Sequence, residues 1–199
     1  MRMSKTKISK NGVKNIPKKE MEILQSGNPV LREVSSPIPD SEINSSKTKK
    51  TILLLQEAIN SQPDAAAISA VQIGKLVRLF VISKKVFDSE NTSEQGTESN
   101  KNDLIFINPK IIKVSKNKQT IEEGCLSVRY VYGKVTRPEK ATVEAYDENG
   151  KKFRRGFSGL LAQIVQHEND HLNGILFTDI ATDIQKLSKK EYEEMLKNI

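Results

Sequence analysis

Apolar and polar positions follow two rhythms along this chain, and the switches between them mark out its elements. Ile52, Leu55 and Ile59, joined by Leu54 and Ala58, recur at helical spacing. A helix is therefore expected from a cap at Asp40 or Ser41 to about Asn60, where Gln62-Pro63-Asp64 stops it. Residues 77–83 are apolar and β-branched over the length of one strand, the pattern of a buried strand. Short runs then dominate: 104–107 and 110–114 around Asn108-Pro109, followed by 120–125 and 128–136. Segments 140–147 and 151–157 flank Asn149-Gly150, a hairpin turn dipeptide. Helical spacing returns at Leu160, Leu161, Ile164 and Val165, a stripe capped by Ser158 and closed by Gly174. Ser188 with Glu191 makes a capping box that opens a last short helix carrying Tyr192, Met195 and Leu196.

The remaining stretches lack either rhythm. Gly27-Asn28-Pro29 is a turn, and residues 29–32 leave it as an extended segment that Pro37 and Pro39 keep out of helix. Residues 65–73 are small and end at Gly74. Residues 83–103 are polar without periodicity and predict a long solvated loop. No internal repeat is present. The sum predicts an α+β fold: antiparallel and mixed β-sheets packed around a central helix, plus an N-terminal helix and a short C-terminal helix. The expected organisation is a basic disordered tail over 1–20, one folded body over 21–182, and a helical extension over 183–199.

Charge changes that picture little once it is located. The net charge is +7 over 199 residues. Seven basic residues and one acid fall within 1–20 (Arg2, Lys5, Lys7, Lys10, Lys14, Lys18 and Lys19 against Glu20). That surplus of six leaves about +1 for the rest. A nearly neutral body with 5% aromatic residues is a poor nucleic-acid-binding domain, so no specific nucleic acid is expected. The tail is the one segment that could touch an RNA-rich partner electrostatically. No apolar run approaches the roughly 20 residues a membrane helix needs, and the lysine-rich start has no apolar core of a secretory signal. A single cysteine, Cys125, fits a reducing compartment. A cytoplasmic protein is expected.

The chemistry gathers on the fourth apolar stripe. The chain has two histidines, and both lie in Gln166-His167-Glu168-Asn169-Asp170-His171. Residues four apart share one face of a helix, so His167 and His171 can reach one ion. Glu168 follows about 100° around the helix, placed to touch something bound to that ion. Two neutral nitrogens and an adjacent carboxylate base suit metal-assisted hydrolysis. A third ligand decides the matter. Cys125, in Glu122-Glu123-Gly124-Cys125-Leu126-Ser127, would complete a zinc-type set with one open position. The alternative is a protease-like site whose third ligand is a downstream acid, for which Asp179, Asp183 and Glu191 are available. Spacing leaves both open.

Several motifs together resemble peptide deformylase. They are Glu123-Gly124-Cys125-Leu126-Ser127, Gln166-His167-Glu168-Asn169-Asp170-His171-Leu172, Gln72-Ile73-Gly74 and Gly27-Asn28-Pro29-Val30-Leu31-Arg32. Arg137, Asn149-Gly150 and Gly159-Leu160-Leu161-Ala162 lie between them in matching order across roughly 21–180. The resemblance implies one divalent metal ion, Fe2+ with Ni2+, Co2+ or Zn2+ as substitutes, held by Cys125, His167 and His171. It implies water activated there, Glu168 as general base and then acid, and an oxyanion met by the metal, the backbone N–H of Leu126 and the amide of Gln72. The implied reaction removes the formyl group from formyl-methionyl nascent peptides and releases formate. Ala66, Ala67, Gly124, Ile121, Leu160 and Ile164 are implied to line the substrate site, and Glu123 with Arg137 to brace it. A monomer is expected, with ribosome contact through the tail or terminal helix.

This chain also departs from the family pattern. Ala65 and Ala67 stand where the family's first motif has glycines, which matters if either position needs a positive φ. Arg129 replaces a usual proline, Tyr130-Val131-Tyr132 is atypical, and Gln163 stands where many members carry arginine or an apolar residue. All five residues implied to act chemically are present, so hydrolysis is expected to be intact, and the departures bear on substrate preference or affinity. A non-catalytic relative that binds nascent chains is the remaining alternative. Retention of Glu168 weighs against it.

Overall fold

The chain is described over residues 22–88 and 102–197 by a computed structural model. The basic tail and 89–101, the middle of the expected 83–103 loop, lie outside the described residues.

The fold is organised around two strands with both faces covered. β2 (Leu79–Ile82), within the apolar run at 77–83, pairs antiparallel with β3 (Leu104–Val114). Successive strand side chains point to opposite faces. Leu79, Val81, Ile105 and Ile107 therefore enter one hydrophobic cluster, and Phe80, Ile82 and Phe106 enter another. Helix α1 (Ser46–Asn60) covers the first face with Leu55, Ala58 and Ile59. A second short helix, α2 (Lys85–Asp88), is a single turn. The other face is covered by α3 (Gly159–His171) through Leu161, Ala162 and Val165. Phe80 stacks on Phe106 with ring centroids 4.5 Å apart. Each such fully buried side chain contributes about 1.5–3 kcal/mol.

The strands form two antiparallel sheets. The larger runs β1 (Ala67–Ser69), β2, β3, β6 (Lys140–Tyr146) and β7 (Lys152–Ser158). The smaller runs β4 (Lys118–Cys125), β5 (Val128–Pro138) and β8 (Thr182–Lys186). Helix α3 packs against β1, β3, β6 and β7 and also meets β5, so it lies between the sheets. A last helix, α4 (Lys189–Leu196), opens with the Ser188–Glu191 capping box. The architecture is α+β, with the histidine helix at its centre.

Several elements differ from the sequence expectation. Residues Pro29–Arg32 form a 3-10 turn rather than an extended segment, because the Asn28 side chain accepts from Val30 N–H and proline suits the first turn. Asp40–Glu42 is likewise a separate 3-10 turn. Helix α1 starts at Ser46, where the Ser45 hydroxyl accepts from Thr48 N–H at 3.2 Å. Runs 104–107 and 110–114 are one strand with a register shift between Ile107 and Lys110. Asn108 makes this possible by taking φ +52 and bonding Ile38 N–H and C=O with its side chain. Ser158 precedes α3 but its side chain makes no capping bond. β8 has no counterpart in the apolar pattern, and the expected boundary at 182 falls at its first residue.

Candidate active site

Cys125 ends β4, and His167 and His171 lie on the face of α3 that turns toward it. One ligand atom from each falls within 4.8 Å of the others, the one such three-ligand group among the described residues. Cys125 Sγ is 3.2 Å from His171 Nε2. The sulfur also receives N–H groups from Ser127 at 3.4 Å and from the Gln72 amide at 3.6 Å. The downstream acids are occupied elsewhere. Asp179 binds Arg32 and Leu176 N–H, Asp183 binds Lys134, and Glu191 caps α4. None of the three acids groups with the two histidines among the described residues, whereas Cys125 does.

The residues present fit a borderline-soft divalent cation. A thiol and two imidazoles form a mixed sulfur–nitrogen set with room for a further ligand. His171 is 1% exposed, and its Nδ1 is buried without a hydrogen-bond partner. Burial, then the nearby His167 and Arg137, hold its pKa well below the ordinary histidine value, which keeps the ring neutral as a ligand must be. At His167 burial pushes the same way, but hydrogen bonds with Cys125 and Glu123 outweigh it and raise the pKa well above normal.

A buried ion pair orients His167. Its Nδ1 lies 2.9 Å from Glu123 Oε2. Glu123 is clasped by Arg137 through Nε to Oε1 and through a terminal nitrogen to Oε2 at 3.0 Å, and Arg137 also reaches Asp170 at 2.8 Å. Burial alone would raise the Glu123 carboxyl, but bonds from His167 and Arg137 hold it down at about 2. An acceptor fixed on Nδ1 places the proton there and leaves Nε2 free for a metal, the usual device for steering a histidine ligand.

Glu168, 3% exposed, sits on the buried side of α3. Its carboxylate accepts from the Ser69 hydroxyl at 2.5 Å. Burial raises its pKa, against the smaller opposing pulls of His167 and Ser69. Gln72 is held from both ends. Its Oε1 accepts from Ser69 N–H at 2.8 Å, so its amide nitrogen faces Ser127 Oγ at 3.1 Å and Cys125 Sγ. A flipped amide would set two donors against each other at Ser69. The backbone N–H of Leu126 has no hydrogen-bond acceptor among the described residues.

These groups open onto a cleft of about 360 Å³. Ala66, Ala67, Gly124, Leu160 and Ile164 line it together with Gln72, Cys125, Leu126, His167 and Glu168. Ile121 is not among the lining residues; it is partly buried two residues before Glu123, on the same inward face of β4 as Glu123 and Cys125. Gly124 is required by a close approach, since a Cβ there would come within 2.7 Å of the Tyr132 ring. Neither Ala65 nor Ala67 adopts a positive φ. Their methyls pack into the two hydrophobic clusters, so alanine carries no left-handed strain there.

Sequence reasoning passed over Ser69, Ser127 and Asp170. The S-x-x-Q spacing of Ser69 and Gln72 was a usable signal, because it is the capping-box pattern. It also passed over the far end of the cleft, where Arg129, Tyr130, Tyr132, Tyr192 and Met195 meet.

Comparison with known proteins agrees with this geometry. The family model for polypeptide deformylase matches residues 20–187. Peptide deformylase 2 of Clostridium acetobutylicum is 39% identical over 158 residues, covering 79% of this chain and 92% of that protein. A Synechococcus elongatus peptide deformylase crystallised with actinonin superposes with a TM-score of 0.72 at 32% identity, over 92% of this chain and 89% of that one. The Met-Ala-Ser-bound class I type b enzyme of Acinetobacter baumannii gives 0.69 at 29% identity, over 80% and 97%.

Proposed function

This chain belongs to the polypeptide deformylase family, and we propose that Cys125, His167 and His171 hold its metal while Glu168, Gln72 and Leu126 carry out the hydrolysis. The enzyme is a metal-dependent hydrolase that removes the N-terminal formyl group of formyl-methionyl peptides and releases formate. The observation that carries the assignment of roles is one constellation. A thiol from β4 and two imidazoles from α3 converge within 4.8 Å, beside a buried carboxylate and a fixed amide.

A divalent cation bound there supplies Lewis acidity, lowering the pKa of water and polarising the formyl carbonyl. We assign that cation as Fe2+, with Ni2+, Co2+ or Zn2+ as substitutes, on the resemblance to the family; the mixed sulfur–imidazole donor set suits iron and zinc alike. Glu168 takes the proton of the attacking water and passes it to the departing amine. Its raised pKa suits both halves of that task, since a carboxyl poised nearer neutrality gives a proton back more readily. Ser69 fixes the rotamer of Glu168. Gln72 Nε2 and Leu126 N–H are the donors for the developing oxyanion, and such a donor is typically worth about 3–4 kcal/mol. Glu123 and Arg137 keep His167 oriented.

The substrate methionine is placed against Leu160, Ile164 and Gly124. The peptide backbone is placed along Ala66 and Ala67, beside β1, which is an edge strand. Nascent chains are the natural source of formyl-methionine, and the basic tail or α4 is the segment proposed to meet the ribosome. No described helix is long and apolar enough to cross a membrane, and we take the enzyme as a cytoplasmic monomer whose body spans 21–182.

Anaerobic purification, metal analysis and a formate-release assay on formyl-Met-Ala-Ser test this reading. One metal per chain and formate release are expected; full metal with no formate would sink it. Glu168→Gln should keep the metal and lose roughly a thousandfold in turnover. Metal loss in that variant would make Glu168 a ligand rather than the base.

A further inference from the structure

The cleft has a second end that the hydrolysis does not use. There the segment after α1, the start of β5 and the C-terminal helix α4 are tied into one knot. Arg129 reaches both carboxylate oxygens of Asp64, at 3.0 and 3.3 Å, the Tyr192 hydroxyl at 2.6 Å and Gln62 Oε1 at 2.6 Å. The Tyr192 hydroxyl in turn donates to Asp64. The triangle is closed: the single Tyr192 proton goes to the carboxylate while its oxygen accepts from the guanidinium. The Tyr192 ring meets Tyr130 edge-on at 5.0 Å and lies beneath Arg129 at 5.9 Å.

Two features show that this arrangement is specified. Tyr130 holds φ +65, a left-handed conformation costly for a bulky residue and kept only where surroundings over-determine it. Tyr192 is also the one buried residue of α4, so the knot, with the Leu187 N–H to Tyr130 C=O bond at 2.7 Å, seats the helix. Seated there, α4 turns Tyr192 and Met195 into the same cleft that Cys125 and Glu168 line.

Resting on the deformylase reading above, we propose that α4 is the outer wall of the peptide cleft. Tyr192 and Met195 select the side chains that follow formyl-methionine, favouring apolar ones. The chemistry of the wall points that way. Three tyrosine rings, a thioether and Val131 present apolar surface, and a thioether adapts to irregular shapes. Arg129 neutralises Asp64, so the knot offers no net charge to a charged side chain. Arg129 and Asp64 are positioning residues, acting through Tyr192.

The test uses the full-length, metal-loaded enzyme and two substrates, formyl-Met-Leu-Phe and formyl-Met-Ala-Ser. Wild type is expected to favour the first in kcat/KM. Met195→Ser should lower that selectivity roughly tenfold, with the loss carried by KM rather than kcat. Tyr192→Phe, which keeps the ring and opens the triangle, should move selectivity the same way by less. Arg129→Gln should act similarly, and Arg129→Lys should restore part of the loss. Equal losses on both peptides, losses confined to kcat, or unchanged selectivity would overturn the inference while leaving the deformylase reading intact. No formate from either peptide with wild-type enzyme would overturn both.

Discussion

Glu123→Gln isolates the contribution of the buried pair beneath His167. The substitution preserves shape and an acceptor for His167 but removes the charge clasped by Arg137. Two routes give the magnitude. Folding takes the Glu123 carboxyl from 4.5 to about 2, which corresponds to about 3 kcal/mol at 1.36 kcal/mol per pH unit. Breaking one side of a buried ion pair costs roughly 3–5 kcal/mol, and Asp170 remains on Arg137 to soften the loss. Both converge near 3 kcal/mol, well above the 1 kcal/mol or less of an exposed pair. Urea unfolding of metal-free protein at pH 7 should therefore show a loss of about 3 kcal/mol. Metal affinity, read by competition with a chromophoric chelator, should fall about 10–100-fold because His167 loses its carboxylate partner. The pH dependence has a definite sign. A carboxyl depressed by folding stabilises fully above its unfolded pKa, and that contribution is lost as pH falls through the folded value. The gap between parent and variant should be flat above about pH 5.5 and narrow from 4.5 toward 2. A loss under about 1 kcal/mol, or a gap that widens in acid, would refute the reasoning.

Two other substitutions probe separate parts of the scaffold. Gly174 holds φ +73, and a Cβ there would lie 2.4 Å from the Arg32 carbonyl oxygen, so Gly174→Ala should cost more than about 2 kcal/mol. Calorimetry should show a melting temperature lower by roughly 4–8 °C; an unchanged one would mean the backbone yields freely. Ser69→Ala removes the hydroxyl that holds the Glu168 pKa down, so the acid limb of the kcat/KM profile should move to higher pH. An acid limb that stays put or moves lower would show that Glu168 does not set it.

The grouping of the candidate metal ligands was legible because their residue types are scarce. One cysteine and two histidines leave few ways to assemble a metal site, and helical spacing already placed His167, Glu168 and His171. The buried strands read well for a similar reason, since β2 is apolar on both faces. What escaped was written in contacts between distant segments. Asp64, Arg129 and Tyr192 each look like ordinary surface residues alone, and only the fold brings them together. β8 is exposed along its whole length and carries no alternation, so nothing in its polarity marks a strand. The α1 start was misplaced because Asp40, Ser41 and Ser45 are all competent caps, and local chemistry alone does not rank them.

The division of the metal ligands between layers has a consequence for how the enzyme is made. Cys125 arrives on the smaller sheet, while the two histidines arrive on a helix seated mainly on the larger one. His171 is synthesised 46 residues after Cys125, so no three-ligand site exists until both sheets have formed and docked. A cation captured there cross-links the two halves across their junction, and its binding free energy adds directly to the stability of the docked state. Metal binding and docking of the two sheets would thus be linked: an ion held by these three side chains favours the assembled layers over the separated ones.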